Sequence, residues 1–171
     1  NDTLNGGGND TLVGGAGDDT YRVSGSEAAY DIFKDTGGSG TDNTLDFSNI
    51  TFTSITSVDG GGGADTITVS SFSASSEGVA NYGGGAGDDT FVVATGSQAA
   101  WITDFNDNSG NDVIDLSAFS FGDLSEVSDI ATQSGGDVII DLTSVGGAGD
   151  IVLIGTAIGN LDFAGSTDFI I

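Results

Sequence analysis

Five aspartates recur along this chain at an almost constant interval. Asp19, Asp42, Asp65, Asp89 and Asp112 are separated by 23, 23, 24 and 23 residues, and each closes a glycine-rich turn. The turns read Gly14-Gly15-Ala16-Gly17-Asp18-Asp19, Gly37-Gly38-Ser39-Gly40-Thr41-Asp42, Gly60-Gly61-Gly62-Gly63-Ala64-Asp65, Gly84-Gly85-Ala86-Gly87-Asp88-Asp89 and the weaker Asp107-Asn108-Ser109-Gly110-Asn111-Asp112. A fixed period of this length predicts a solenoid, because one coil is too small to bury its own apolar face and a core forms only where coils stack.

Between the turns the apolar residues fall into register. Tyr21 and Val23, Leu45 and Phe47, Ile67 and Val69, Phe91 and Val93, and Ile114 and Leu116 alternate with polar neighbours, as a strand with one buried face requires. Leu45 comes one residue late because Asn43 is extra, which predicts a bulge in that coil. On the return segments, Ile32, Ile55, Val79 and Ile102 stand five positions before a new turn, and Asp35, Val58, Tyr82 and Phe105 two before it. Two strands per coil with stacked positions predict an all-β fold, a right-handed parallel β-roll or β-helix over residues 1–116. Residues 1–22 carry a shorter, nine-residue beat through Asp2, Asp10 and Asp19, one position short near Asn5. The chain starts inside a repeat, at Asn1-Asp2-Thr3-Leu4, which predicts a fragment or a processed product.

Beyond Leu116 the period fails. Residues 117–171 read as a C-terminal β cap on the open end of the solenoid, with a short helical turn between Ser117 and Ile130 and strands at Asp137 to Leu142 and Asp150 to Ile154.

The charge narrows the chemistry. The formal net charge is -24, and Arg22 and Lys34 are the only cations among 171 residues. Direct nucleic-acid binding is excluded as an expectation, since nothing here displaces counterions from phosphates. Of the 26 acidic residues 23 are Asp, the carboxylate suited to tight turns and oxygen-lined cation sites. No apolar run approaches the ~20 residues of a membrane span. There is no His and no Cys, and no Ser has an evident activating base, so catalysis is not expected from this chain.

Stacked coils lie ~4.8 Å apart, so the period-setting carboxylates would form a column at that spacing. Two like charges so placed repel by roughly 1 kcal/mol in water and roughly 3 to 4 kcal/mol at an effective dielectric of 20. A cation between successive coils reverses the sign of that term. Hard oxygen donors in flexible geometry suit Ca²⁺ better than Mg²⁺, which demands stricter octahedral order.

Residues Gly14 to Arg22, Gly60 to Thr68 and Gly84 to Val92 resemble the calcium-binding nonapeptide Gly-Gly-x-Gly-x-Asp-x-U-x of the RTX (repeats-in-toxin) family, U being a large apolar residue. The stretch Ile102-Thr103-Asp104-Phe105 with Asp112 to Phe119 is similar to the segment that ends RTX rolls, and Asp168-Phe169-Ile170-Ile171 to the family's C-terminal export signals. The resemblance implies several Ca²⁺ ions, each between adjacent turns. Their ligands would be Asp19, Asp42, Asp65, Asp89 and Asp112, with Gly15, Gly17, Gly38, Gly40, Gly61, Gly63, Gly85, Gly87 and Gly110 of the turns. Standard rolls carry calcium columns on both edges; here the opposite turn keeps the motif only in residues 1–22, so one column is expected, with Asp2 and Asp10 adding sites near the N-terminus.

The expected function is a non-catalytic, calcium-dependent structural module of a secreted or cell-surface bacterial protein exported by type I secretion, folding on extracellular calcium. Two other readings compete. One is a subunit of an extracellular fibre, adhesin or surface layer, self-associating through the solenoid ends. The other is an accessory module of a secreted protease, lipase or polysaccharide-modifying enzyme, with extracellular polysaccharide as a partner through Ca²⁺ bridging. The lone Trp101 reads as packing in a return strand rather than a sugar platform, and the Thr51-Thr53 and Thr66-Thr68 pairs do not recur in register.

Overall fold

The computed structural model describes residues 3–6, 11–15, 17, 19–23, 31–34, 44–46, 55–69, 80–96, 99–106, 110–147, 149–165 and 167–171. The sequence expectations for Asp2, Asp10, Asp35, Gly38, Gly40, Asp42, Asn43, Phe47, Thr51, Thr53 and Val79 lie outside these residues.

Successive short strands alternate between two sheets. In chain order they are β1 (Thr3–Gly6), β2 (Thr11–Val13), β3 (Thr20–Val23), β4 (Asp31–Lys34), β5 (Thr44–Asp46), β6 (Ile55–Asp59), β7 (Thr66–Val69), β8 (Ala80–Gly83), β9 (Thr90–Val93), β10 (Ala100–Ile102) and β11 (Val113–Asp115). A short helix, α1 (Leu124–Asp129), follows, then β12 (Ala131–Ser134), β13 (Asp137–Asp141), β14 (Asp150–Leu153) and β15 (Phe169–Ile170). The first sheet runs β1-β3-β5-β7-β9-β11-β15 and the second β12-β13-β14-β10-β8-β6-β4-β2. Every pairing is parallel except those of β13 with β12 and β14. The protein is thus mostly β, with two extended parallel sheets.

Register explains why these residues make strands. In the first sheet Leu4, Tyr21, Leu45, Ile67, Phe91, Ile114 and Phe169 stand side by side, one per strand. Ile67, Phe91, Ile114 and Phe169 of this row are fully buried. The outward neighbours Thr3, Thr20, Thr44, Thr66 and Thr90 form a second row at the first position of five strands, whereas Thr68 stands beside Asp46 and Val92, so the Thr66-Thr68 pair does not recur in register. β-Branched side chains pack well beside one another across strands, which supports the pairing from outside.

In the second sheet Leu12, Phe33, Val58, Tyr82, Ile102, Leu153 and Val138 share one register row, of which Val58, Tyr82, Ile102, Leu153 and Val138 are buried. Two details differ from the sequence expectation. Ile102 takes the place beside Tyr82, where the turn alignment put Phe105. Just past β10, Asp104 accepts the N–H groups of Gly84 and Gly85 on its carboxylate, and Phe105 tucks into the core, its ring centroid 6.5 Å from that of Phe91. An irregularity also sits in the pairing of β4 with β6, between Asp31 and Ile32.

The C-terminal residues extend both sheets. β14 pairs with β10 and β15 with β11, so the chain past residue 116 continues both sheets. α1 begins at the N-cap Asp123, whose carboxylate accepts the Ser125 N–H, while the Glu126 carboxylate accepts the Gly122 N–H, a reciprocal cap. Phe169 is stacked on Phe163 at 5.3 Å. Trp101, by contrast, is not packed away: it points outward from β10 and is 40% exposed, against the sequence expectation.

Phe91 sits at the centre of the first inward row. Phe91→Ala is expected to cost about 3 to 5 kcal/mol of unfolding free energy by urea denaturation, whereas Val92→Ala, on the outward side of the same strand, is expected within about 1 kcal/mol.

Candidate functional site

Each period-setting aspartate in the described residues lies just before a strand of the first sheet. Asp19 precedes β3, Asp65 β7, Asp89 β9 and Asp112 β11, and all four are buried despite their charge. The sheet register therefore aligns the carboxylates of Asp65, Asp89 and Asp112 along one edge, as the sequence period requires.

Their hydrogen bonds run from coil to coil. Asp89 Oδ1 accepts the backbone N–H of Asp65 at 2.8 Å, and Asp112 Oδ1 accepts that of Asp89 at 3.1 Å. One carboxylate oxygen of Asp89 and of Asp112 is thus committed to the preceding coil. In Asp65 and Asp89, Oδ2 lies against the first glycine of its own turn. A Cβ added to Gly84 would overlap Asp89 Oδ2, and one on Gly60 would come within 2.6 Å of Asp65 Oδ2. Asp89 Oδ2 is buried with no hydrogen-bond donor. A desolvated carboxylate oxygen in that position is costly to leave unmatched.

The turns stack as closely as the strands. Ala86 N–H donates to Gly61 O and Gly63 N–H to Ala86 O, both at 2.8 Å, and Gly60 N–H donates to Gly83 O at 2.9 Å. The second and fourth turn residues have φ of +95° and +113° at Gly15 and Gly17, +96° and +125° at Gly61 and Gly63, and +95° and +138° at Gly85 and Gly87. L-residues with a side chain are strained there. Gly85 and Gly87 also lie so close to Gly61 O and Gly63 O that a Cβ on either would overlap them, and Gly110 bears the same relation to Gly87 O.

The column has a distinct end. After β10, Asp104 stands where a turn glycine stands in the preceding coil, and its two oxygens accept the N–H groups of Gly84 and Gly85 at 3.0 and 2.9 Å. Asn106, with φ of +52°, donates its N–H to Asp112 Oδ2 at 2.8 Å and accepts the Asp112 N–H on its own Oδ1 at 2.7 Å. Its amide nitrogen reaches Asp168 Oδ1, and Asp168 Oδ2 takes the Asp162 N–H at 2.8 Å. Asp112 therefore has an N–H donor on both oxygens, whereas Asp89 has one.

Electrostatics separate Asp89 from ordinary carboxylates. Its pKa is pushed up to about 6, first by burial and then by repulsion from Asp112, Asp104 and Asp88, against the lowering effect of the Asp65 N–H. Among the described residues no three acidic side chains converge on one point. A cation here would draw on one carboxylate per coil and on main-chain oxygens. An all-oxygen donor set, a buried oxygen without a donor and glycines that leave room beside it suit a hard cation such as Ca²⁺.

Several contributors were not singled out from the sequence. The first turn glycines, Gly60 and Gly84, are required because a carboxylate oxygen lies against them; their signal was their recurrence at the head of every full motif. Asp104, Asn106 and Asp168 end the column; the sequence placed Asp104 in the stretch similar to the segment that ends RTX rolls and Asp168 in the C-terminal tetrad, but gave neither this hydrogen-bonding role, and nothing in it marked Asn106.

No family model and no curated protein matches the chain. Among solved structures it is similar to the extracellular lipase LipA from Serratia marcescens, at 15% sequence identity and a TM-score of 0.37. The likeness covers 96% of this chain and 38% of the lipase chain, so the chain spans about two fifths of that protein's length. A likeness this distant carries no argument about fold or activity.

Two predictions follow from the turn geometry. Gly87→Ala, which combines a φ of +138° with overlap of Gly63 O, is expected to destabilise by on the order of 3 kcal/mol or more. Gly136→Ala, where nothing lies within 4 Å of the added carbon, is expected to be neutral or stabilising by up to about 1 kcal/mol in the same urea titration. The second concerns pH. The folded-state pKa of Asp89 lies above its unfolded value of 3.8, so the folded chain holds that proton more tightly and unfolding releases it. In chelator, stability should fall as pH rises from about 4 to about 6, and Asp89→Asn should flatten the profile in that window. A slope unchanged in Asp89→Asn would refute the assignment.

Proposed function

We propose that this chain is a right-handed β-roll or β-helix solenoid that binds Ca²⁺ along its column of stacked turns, and that it serves as a non-catalytic structural module of an extracellular or cell-surface protein. The observation that carries the reading is Asp89 Oδ2, a buried carboxylate oxygen with no hydrogen-bond donor, set against a glycine that leaves room beside it. Bound Ca²⁺ supplies the positive charge that the column lacks.

The chain's own residues would do the rest. Asp65 and Asp89, tied coil to coil by the Asp65 N–H, would hold the ion jointly, so that loss of one weakens two adjacent sites. The turn glycines keep the backbone open enough for carbonyl oxygens to approach. Extracellular calcium-binding modules work at roughly 10⁻⁴ to 10⁻³ M, which ties folding to the concentrations met outside the cell. Among the described residues no helix is long and apolar enough to cross a membrane.

Calcium added to chelated protein is expected to raise the urea midpoint, with about 2.7 kcal/mol gained per site at a hundredfold excess over Kd. Asp65→Ala and Asp89→Ala should each remove more than one ion's worth of heat in calorimetric titration. A circular dichroism spectrum and urea midpoint that are the same in chelator and in millimolar calcium would defeat the reading. Sodium chloride at matched ionic strength giving the full stabilisation would reduce the effect to screening.

A further inference from the structure

Trp101, the one tryptophan of the chain, stands on the outward face of the second sheet. Its lateral neighbours are Asn81 of β8 and Val152 of β14, and Val152 lies beside Ile139 of β13. Trp101, Val152 and Ile139 therefore form an apolar stripe across three adjacent strands, ~10 Å long at the usual strand spacing. Residues two positions along a strand share its face, ~7 Å away. At that distance the stripe is flanked by carboxylates, Asp150 and Asp141 on one side and Asp137 on the other.

Asp141 and Asp150 are direct cross-strand partners, an arrangement in which like charges are destabilising. Burial, the charge of Asp141 and a side-chain hydrogen bond with Asp141 hold the Asp150 carboxyl above the usual range, so the pair relieves its repulsion by keeping a proton unless a cation is supplied. Asp141 Oδ1 accepts the N–H and O–H of Thr143, which orients it without neutralising the pair. No basic residue of this chain stands nearby on the sheet. Arg22 is on β3 of the other sheet, and Lys34 is on β4, four strands from β14 or ~19 Å.

We propose that this face docks a basic amphipathic segment of another polypeptide. Its apolar residues lie along Trp101, Val152 and Ile139, and its Lys or Arg side chains meet Asp141, Asp150 and Asp137. The fit is one of charge and dimension: a helix ~10 to 12 Å across, laid along the stripe, places flanking cations over both acidic rows. A neutral glycan would stack on Trp101 and leave the Asp141–Asp150 repulsion standing, and an anionic one would add to it.

The test uses the full chain in millimolar calcium and a synthetic leucine-lysine amphipathic helical peptide, with Trp101 as the only indole reporter. Saturable binding with a blue shift of Trp101 emission is expected. By anisotropy of labelled peptide, Trp101→Ala should weaken binding about tenfold or more, as aromatic anchors do. The Asp141→Asn/Asp150→Asn pair should weaken it about fivefold or more and flatten its salt dependence. Oligolysine of equal charge without leucine should bind at least about tenfold more weakly and leave the emission unmoved. Oligolysine binding as tightly as the amphipathic peptide would overturn the proposal in favour of diffuse attraction to a chain of charge -24. So would variants that bind like the parent, or a blue shift given by a neutral oligosaccharide and not by the peptide. Circular dichroism of each surface variant in calcium confirms that it is folded.

Discussion

A carboxylate that reaches back to the N–H of the aspartate one coil earlier is the contact on which the rest of this structure turns. It fixes where each coil sits on the last, because Asp89 Oδ1 and Asp112 Oδ1 meet their donors only in one register. The same register places Ile67, Phe91 and Ile114 side by side. It also buries the carboxylates, leaves Asp89 Oδ2 facing Gly84, and makes side chains at Gly60 and Gly84 impossible without displacing an aspartate. The glycine motif and the aspartate period are thus one constraint seen from two sides.

Two terms oppose each other along the stack. The inward rows gain by continuous apolar burial, about 1.5 to 3 kcal/mol for each large aliphatic or aromatic side chain fully removed from water. The carboxylate edge loses with every coil added, since each new aspartate joins a like-charged neighbour at ~4.8 Å. The raised pKa of Asp89 comes from burial first and from that repulsion second: protonation is one way to relieve both, and on the proposed reading calcium is another. In Asp89 the coil-to-coil N–H donor relieves only one of the two carboxylate oxygens.

The legible part of the fold was the part that repeats. Asp19, Asp65, Asp89 and Asp112 occupy equivalent places because recurrence at fixed spacing encodes stacking whatever the detailed geometry. The inward row of the first sheet followed from apolar alternation beside each turn. Where repetition stops, the sequence spoke less clearly. β12 was missed because Ala131-Thr132-Gln133-Ser134 carries one buried residue and three exposed, so no alternation marks it. Phe105 was misplaced because counting back from the last repeat assumes the spacing of the earlier ones, whereas Ile102 holds the register position beside Tyr82. Trp101 was read inward since an aromatic in an apolar strand is normally buried, but Ala100 and Ile102 claim the inward positions on either side.

The end of the column shows that a buried carboxylate in this chain can be satisfied without an ion. Asp112 and Asp168 are as enclosed as a turn aspartate, yet each has donors on both oxygens, drawn from Asn106, Asp162 and the backbone of Asp89. Asp104 likewise spends both oxygens on Gly84 and Gly85. These donors are available because the chain departs from the repeat: the left-handed Asn106 and the turn through Asp162 turn N–H groups toward carboxylates. A uniform stack of glycine turns has no such freedom, because its N–H groups are already spent on the carbonyls and carboxylates of adjacent coils. On the proposed reading, irregularity at the C-terminal end and an external cation along the regular part are therefore alternative answers to one electrostatic problem, and the boundary between them falls after β10.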